Sequence, residues 1–358
     1  LVLEELVFHG APNDILFKGK PHIGTDRLIK VLRSIRKEIL DLGGQIKFQS
    51  RVDDIIIDSG SIVGVRTSTG EELNSQNVIL AVGHSARDTF EMLHGHGIQM
   101  QSKPFSIGAR IEHPQKMIDR SLYGSAAGHE KLGAAPYKFV HHHNKRKGRT
   151  CYSFCMCPGG LVVASSSEPG LTVTNGMSSY ARADANANSG FMVEVFPEDF
   201  QNSENPLSGI QFQREWEQKA FQAGDSDGRA PAQLLGDFMQ NVQSSEIGNV
   251  IPSYRPGVIM TDIRECLPEY IVKVMQQSVH SISKQIDGFN RKDAVLTAAE
   301  TRSSSPLRIT RNSLMQSPSA KGLYPAGEGA GYAGGILSAA VDGLRVAKAM
   351  HANVKSSF

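Results

Sequence analysis

The stretch that decides the fold is residues 322–335, which read GLYPAGEGAGYAGG and continue directly into a helical pattern. A short apolar segment is followed by five glycines, beginning at Gly327. Glycine lets a backbone approach a ligand closely, and the free N–H groups at a helix N-terminus favour an anion. We therefore predict that this strand, loop and helix cradle the phosphates of a nucleotide. A glycine-rich hairpin or linker is the alternative, and the apolar segments on both sides of the loop argue against it.

The same loop contains a formal G-x-G-x-x-G at Gly329, Gly331 and Gly334. That pattern usually opens a Rossmann unit, with an acidic residue about 20 positions later on the second strand. The given sequence leaves room for one helix only, so we expect the loop to close a nucleotide-binding domain that begins upstream. A plain NAD-dependent dehydrogenase is disfavoured for the same reason. Apolar and small residues then recur at helical spacing and predict a buried stripe: Ile336, Ala339, Ala340, Gly343, Leu344, Ala347 and Met350.

Composition limits the class of protein. The 358 residues are 40% hydrophobic and 21% charged, which is typical of a soluble globular protein with two domains or one large insertion. The net charge of +2 gives no reason to expect a nucleic-acid partner, and no run approaches the length of a membrane span. Four cysteines favour a reducing compartment. The opening residues LVLEELV resemble the middle of a domain, so we expect a fragment or processed form.

Periodicity gives a coarse order of elements. Thr25 is predicted to cap a helix that Gly43 and Gly44 end. The run at 77–84 predicts a strand buried on both faces of a parallel sheet. From about residue 113 to 299 the composition predicts an irregular segment. Further strands are predicted at 45–52, 55–57, 62–66 and 106–112, and a helix at 270–286.

Two segments resemble fingerprints of the glutathione-reductase-type flavoproteins. Residues 78–83 resemble the second fingerprint, hydrophobic residues ending in Ala-Thr-Gly, with Val82 replacing the threonine. Residues 322–335 resemble the closing fingerprint, with Glu328 replacing the aspartate of Ala-Gly-Asp. Four more segments resemble a family of predicted FAD-dependent dehydrogenases of bacteria and plant plastids: KPHIGTD at 20–26, FCMCPGG at 154–160, NGMS at 175–178 and ETRSSSP at 300–306.

The resemblance implies an α/β fold: a discontinuous, Rossmann-like, glutathione-reductase-type FAD-binding domain with a large inserted α+β substrate domain. We place the first part of the FAD-binding domain at 1–106, the insertion at 107–299 and the closing part at 300–358. The family's N-terminal G-x-G-x-x-G, which holds the FAD pyrophosphate, is not found before His22. A plant member would lie in the chloroplast and any other member in the cytoplasm.

The resemblance also implies cofactor contacts. Glu328 and Gly327 would lie beside the ribityl and pyrophosphate groups, where a carboxylate accepts hydrogen bonds from sugar hydroxyls. Amides at the start of the last helix would stabilise the negative charge of reduced flavin. The full predicted set is Val52, Ala81, Gly83, Gly327, Glu328, Gly329, Gly331, Gly334, Gly335 and Ile336. Ordinary sheet core is the alternative for Val52 and Ala81.

Arg302 is the candidate for contact with substrate or flavin, because a guanidinium binds carboxylates in bidentate fashion. A structural arginine that bridges loops is the alternative. For Cys155 and Cys157, buried structural thiols are favoured over a redox pair, since a C-x-C spacing strains an internal disulfide. His22 is a functional candidate or a helix cap. No metal site is predicted, and the histidines at 141–143 with the basic residues 144–147 are interpreted as a solvated loop.

The resulting hypothesis is an FAD-dependent oxidoreductase that transfers a hydride between an unidentified small-molecule substrate and the N5 of non-covalent FAD. NAD(P)H is a candidate electron donor. The alternative is a non-catalytic or FAD-deficient fragment of such a flavoprotein that acts as a binding or scaffold protein. No Ser-His-Asp set, H-E-x-x-H or P-loop supports hydrolase or kinase chemistry.

Overall fold

A seven-stranded sheet from the middle of the chain organises the computed structural model, which describes residues 1–143 and 148–355. The helices are α1 (Val2–Phe8), α2 (Thr25–Asp41), α3 (Arg87–Gly95), α4 (Gln115–Tyr123), α5 (Ser208–Ala223), α6 (Leu235–Gln240), α7 (Glu269–Ser283) and α8 (Ile336–Lys355). The strands are β1 (Val52–Asp58), β2 (Ser61–Thr67), β3 (Glu72–Asn74), β4 (Val78–Leu80), β5 (Met100–Ser102), β6 (Phe105–Pro114), β7 (Val140–His142), β8 (Thr150–Cys157), β9 (Leu161–Ala164), β10 (Thr174–Met177), β11 (Asn186–Val195), β12 (Ala230–Leu234), β13 (Val258–Met260), β14 (Val295–Glu300), β15 (Leu307–Ile309) and β16 (Leu323–Pro325).

The large sheet has the strand order β13-β12-β14-β6-β11-β8-β7. Its two longest strands, β6 and β11, pair antiparallel over ten residues. Side chains alternate across a strand, so Ile107 and Ile111 of β6 enter the main apolar core, which α7 completes with Ile271 and Met275. The opposite face of β6 carries Arg110, which is also buried. The sheet is therefore covered on both faces, and its strands all lie between Phe105 and Glu300.

The first and last parts of the chain meet in a smaller unit. Strand β4 pairs in parallel with β16, so that Val78 lies opposite Leu323 and Leu80 opposite Pro325. Strands β5 and β15 add a second contact between the same two regions. This is the pairing expected for one domain built from two distant stretches. The described residues form a two-stranded parallel sheet here, so a glutathione-reductase-type Rossmann arrangement is not confirmed.

Several local predictions were confirmed and others were wrong. The strands predicted at 55–57, 62–66 and 106–112 and the helix at 270–286 are present. Residues 45–51 form no strand, and Thr25 is the first helical residue, preceded by Gly24 as the cap. The segment 113–299 is not irregular, because β8 and β11 lie in it. Loop-type residues in β11, such as Asn188, are buried and hydrogen bonded there.

The predicted burial of two other segments was wrong. In the 77–84 run only Val78–Leu80 is a strand, and Ile79 is 37% exposed because one strand pairs with β4 in the described structure. In α8 the helix is confirmed, but only Asp342 and Val346 are buried, while Ile336 is 69% exposed. The apolar spacing identified the helix correctly, yet the predicted stripe is only partly covered, with Ile336, Ala340 and Leu344 exposed. No helix among residues 1–143 and 148–355 is long and apolar enough to cross a bilayer.

We predict that Gly329→Ala destabilises the unit formed by β4 and β16. A Cβ at Gly329 would lie 2.4 Å from the Gly83 carbonyl oxygen, a backbone atom that cannot rotate away. The expected loss is about 1–3 kcal/mol of unfolding free energy, measured by urea denaturation. The control is Gly343→Ala in α8, whose Cβ would meet nothing within 4 Å. That control should gain about 0.5–1 kcal/mol from helix propensity. Equal stability of the two variants would contradict the packing of these glycines.

Candidate functional site

A cavity of about 910 Å³ lies where the three regions of the chain meet. Its wall includes seven parts of the chain: α1, α2, the turn after β4, the end of β8 with the turn that follows, β10, the segment after β14 and the start of α8. The residues that line it include Leu3, Leu6, His22, Leu28, His84, Phe154, Cys155, Met156, Cys157, Met177, Arg182, Arg302, Glu328, Gly334, Gly335, Ile336 and Leu337. Five predicted site residues line it: Arg302, Glu328, Gly334, Gly335 and Ile336.

The remaining predicted residues lie outside the lining. They are Val52, Ala81, Gly83, Gly327, Gly329 and Gly331. Val52 begins β1, where it pairs with Thr67, and its contact with the cofactor stays a prediction. For the other five, cofactor contact stays a prediction.

Three glycines of the loop have packing roles. Gly329 lies directly against the Gly83 backbone, and a Cβ on Gly331 would be 2.5 Å from the Leu307 carbonyl oxygen. Gly327 has a φ of +74°, and its N–H donates to the Asp342 carboxylate at 2.7 Å. Asp342 lies in α8 and also forms an ion pair with Arg311. These contacts fix the start of α8 relative to β16.

The start of α8 is open to the cavity. A Cβ on Gly334 or Gly335 would meet nothing within 4 Å, and Ile336 begins the helix at the cavity wall. The first N–H groups of a helix have no partner inside the helix, and their positive field attracts anions. Gly334 donates its own N–H to the Ser338 hydroxyl. The arrangement fits the predicted cradle: open space in front of a helix N-terminus of a twenty-residue helix.

His84 and Glu328 form a polar pair on the same wall, with His84 Nε2 3.9 Å from Glu328 Oε1. Burial, reinforced by the charges of Arg302 and Arg87, lowers the His84 pKa to about 4. Burial raises the pKa of Glu328, and Lys103 opposes that change. His84 is therefore neutral at pH 7 and can both donate and accept a hydrogen bond. Sequence reasoning missed His84, although its position just beyond the carboxyl end of a parallel strand was a usable signal.

Arg302 is held by a buried carboxylate. Its Nε and Nη2 donate to Glu217 at 3.1 and 3.0 Å, and its Nη1 donates to Ser167. Arg87 donates to both oxygens of the same Glu217, at 2.7 and 2.8 Å. Burial disfavours a charged Glu217, but hydrogen bonds from both arginines outweigh it and lower the pKa. Arg302 thus bridges elements of the protein at the edge of the cavity, as in the structural alternative, and its role toward a substrate stays a prediction.

Cys155 is the one exposed thiol among the four cysteines, all of which are free. A hydrogen bond with Cys157, together with the charge of Arg110, lowers the pKa of Cys155. The same hydrogen bond and burial raise the pKa of Cys157, and the Arg110 charge opposes that change. Arg110 is fully buried, donates to the Cys155 carbonyl at 2.8 Å and pairs with Glu300. The interpretation as buried structural thiols is correct for Cys157 and wrong for Cys155.

The structure places His22 at the cavity and two of the histidines at 141–143 in a strand. His22 lines the cavity, and its Nε2 lies 3.0 Å from the Ser179 carbonyl, so it does not cap α2. Burial lowers its pKa. His141 and His142 belong to β7, and residues 144–147 lie outside the described residues. In the part of the chain that the structure describes, no three His, Cys, Asp or Glu side chains are grouped to hold a metal ion.

Comparison with known proteins identifies relatives. Residues 104–303, more than half of the chain, match the sequence profile described as "FAD-dependent protein, C-terminal domain-like". An uncharacterized protein of Clostridium beijerinckii is 47% identical over 347 residues. That match covers 97% of this chain and 64% of the relative, so the chain spans less than two thirds of the length of this curated relative.

Two solved structures resemble the chain weakly. GidA of Aquifex aeolicus is 10% identical, with 90% of this chain and 47% of that chain covered and a TM-score of 0.35. An oxidoreductase from Methanosarcina mazei is 13% identical, with 97% and 58% covered and a TM-score of 0.36. At these TM-scores neither likeness carries an argument about fold or activity.

We predict that Glu217→Gln destabilises the protein severely. The substitution leaves Arg87 and Arg302 buried without their shared counter-charge, and removing one partner of a buried ion pair costs about 3–5 kcal/mol. The matched control is Glu215→Gln on the same helix, because Glu215 is half exposed and its ion pair among the described residues is with Lys219. The control should stay within about 0.5 kcal/mol of the wild type. Chemical denaturation measures both, and a mild effect of Glu217→Gln would contradict the clamp.

We predict a specific pH dependence of stability from His84. Its folded pKa of about 4 lies below the ordinary value of 6.5, so the unfolded chain binds more protons between these values. The contribution of neutral His84 is complete above pH 6.5 and is lost as the pH falls to 4, by on the order of 2–3 kcal/mol. His84→Gln should flatten the stability profile of the apoprotein in that window. Superimposable wild-type and variant profiles would show that His84 titrates normally.

Proposed function

The chain belongs to the family of FAD-dependent proteins described above, and we propose that its cavity holds the flavin of an FAD-dependent oxidoreductase. The observation that carries the proposal is the open N-terminus of α8, which faces the same cavity as His84, Glu328 and Cys155. A helix N-terminus favours the negative charge of a pyrophosphate or of a reduced flavin. The open space at Gly334 and Gly335 lets a ligand approach those amides.

The residues present have the chemistry that a flavin needs from a protein. Bound FAD would supply the hydride acceptor, while the protein supplies position, hydrogen bonds and charge. Glu328 would bond hydroxyl groups of the cofactor, as the resemblance implies. His84, neutral beside Glu328, would donate or accept a hydrogen bond to cofactor or substrate. The apolar side chains of Leu3, Leu6 and Leu28 would exclude water from that part of the cavity.

The finer parts of this proposal concern the reaction itself. We propose hydride transfer between a small substrate and non-covalent FAD, with NAD(P)H as a candidate donor. We also propose the glutathione-reductase-type architecture and a chloroplast or cytoplasmic location. The chain spans 64% of the length of the Clostridium beijerinckii relative, so the activity is proposed for the whole protein.

A second candidate is a binding or scaffold protein that holds no flavin. The two candidates differ in one property, which is flavin binding.

The experiment purifies this chain and a version extended to the full length of its relatives, and compares Gly334→Asp with Gly334→Asn. The two side chains have nearly the same size, but only aspartate places a negative charge in front of the helix. We predict flavin absorption in the extended wild type, retention by the asparagine variant and at least about tenfold weaker FAD binding by the aspartate variant. Absence of flavin from every version, and no uptake of added FAD, would favour the scaffold.

A further inference from the structure

One charged side chain that lines the cavity has no partner. Arg182 contributes to the wall, and within the described residues no carboxylate forms an ion pair with it. Its Nε is buried and has no hydrogen-bond acceptor among those residues. Arg302 on the same cavity differs, because all three of its nitrogens bond to Glu217 or Ser167. A buried polar atom without a partner costs free energy, so the unpaired Nε of this half-buried arginine, at the wall of a cavity, indicates a ligand.

The backbone holds Arg182 at this place in an unusual conformation. Its φ is +50°, in the left-handed region that non-glycine residues seldom adopt and that is concentrated at functional sites. Its carbonyl packs against Gly159, where a Cβ would lie 1.8 Å from the Arg182 oxygen. Its N–H donates to the Ser179 carbonyl at 3.2 Å. Of the nine described non-glycine residues with positive φ, Cys155 and Arg182 are the two that line the cavity.

The surroundings of Arg182 favour one class of ligand. The side chains that line the rest of the cavity are largely apolar: Leu3, Leu6, Leu28, Phe154, Met156, Met177, Ile336 and Leu337. Burial lowers the pKa of the neighbouring His22, and the Arg182 charge adds to that effect, so His22 does not supply a second cation at neutral pH. A planar guanidinium binds a carboxylate through two parallel hydrogen bonds, and the pair is stronger where water is excluded.

We propose that Arg182 binds the carboxylate of a small apolar carboxylic acid, whose body lies along the apolar wall of the cavity. The inference rests on the proposed function in one respect, namely that this acid is the molecule that meets the flavin. Arg182 is then the residue that determines specificity for an anionic head group. A phosphate of the cofactor is the other anion that could reach the guanidinium, and the experiment separates the two.

The test is isothermal titration of the flavin-loaded protein with phenylacetate and octanoate, and with the matching amides phenylacetamide and octanamide. The wild type should bind at least one of the two acids about tenfold or more tightly than its amide. Arg182→Gln should remove that preference and leave the flavin content unchanged. Arg182→Lys keeps the charge and should restore part of the preference. The matched control is Arg66→Gln, an exposed arginine of β2 outside the cavity wall, which should behave as the wild type.

The other possible results decide between the inference about Arg182 and the proposed flavin binding. No preference for acid over amide with either probe, or a preference that survives Arg182→Gln, overturns the inference while the proposed function stands. Loss of flavin from a folded Arg182→Gln protein also overturns it, because the anion is then the cofactor's phosphate. If the wild type binds no flavin, the titration is made on the protein as purified. An Arg182-dependent preference then supports the inference, whereas the proposed function fails.

Discussion

The buried carboxylate of Glu217 is the interaction on which the cavity depends. It lies in α5, and it accepts hydrogen bonds from Arg87 at the start of α3 and from Arg302 after β14. The three residues come from the three regions of the chain that the sequence separates. A charge taken out of water is tolerated only with paired and hydrogen-bonded neighbours, so the Glu217 carboxylate links the three regions through its two arginines. His84 precedes Arg87 by three residues, and Ser303 follows Arg302, which places both on the cavity wall.

The same cluster sets the electrostatics of the cavity. The positive charges of Arg302 and Arg87 add to burial in keeping His84 neutral. Arg110, which donates to the Cys155 carbonyl in β8, lowers the pKa of the Cys155 thiol at the cavity wall. Because these arginines are all bonded to protein acceptors, they act at a distance as fixed charges. Arg182 is the lining cation left for a ligand within the described structure. A cavity with this distribution suits an electron-rich cofactor and an anionic substrate.

The sequence predicted the parts of the fold that carry local signals. The glycine loop, α8 and α7 follow from glycine spacing and apolar periodicity. The pairing of two distant stretches is what the family resemblance implied. The large sheet was missed where polar residues are buried, as with Asn188 of β11, which bonds Arg110. Glu217 carries no local pattern, since its role comes from neighbours distant in sequence. His84 has a local signal in its place after β4, but its lowered pKa comes from burial and from the distant Arg302. The exposed Ile336 shows the opposite case, in which periodicity identified the helix but could not reveal what covers it.

Hydrogen–deuterium exchange of the full-length protein, with and without saturating FAD, tests the central claim that the cavity holds the flavin. We predict slower exchange of the amides at 334–338, where α8 begins, together with those at 154–157 in β8. Both segments line the cavity, and a bound cofactor would cover them. FAD-dependent protection found elsewhere in the protein, with the amides at 334–338 unchanged, would show that the flavin binds outside this cavity.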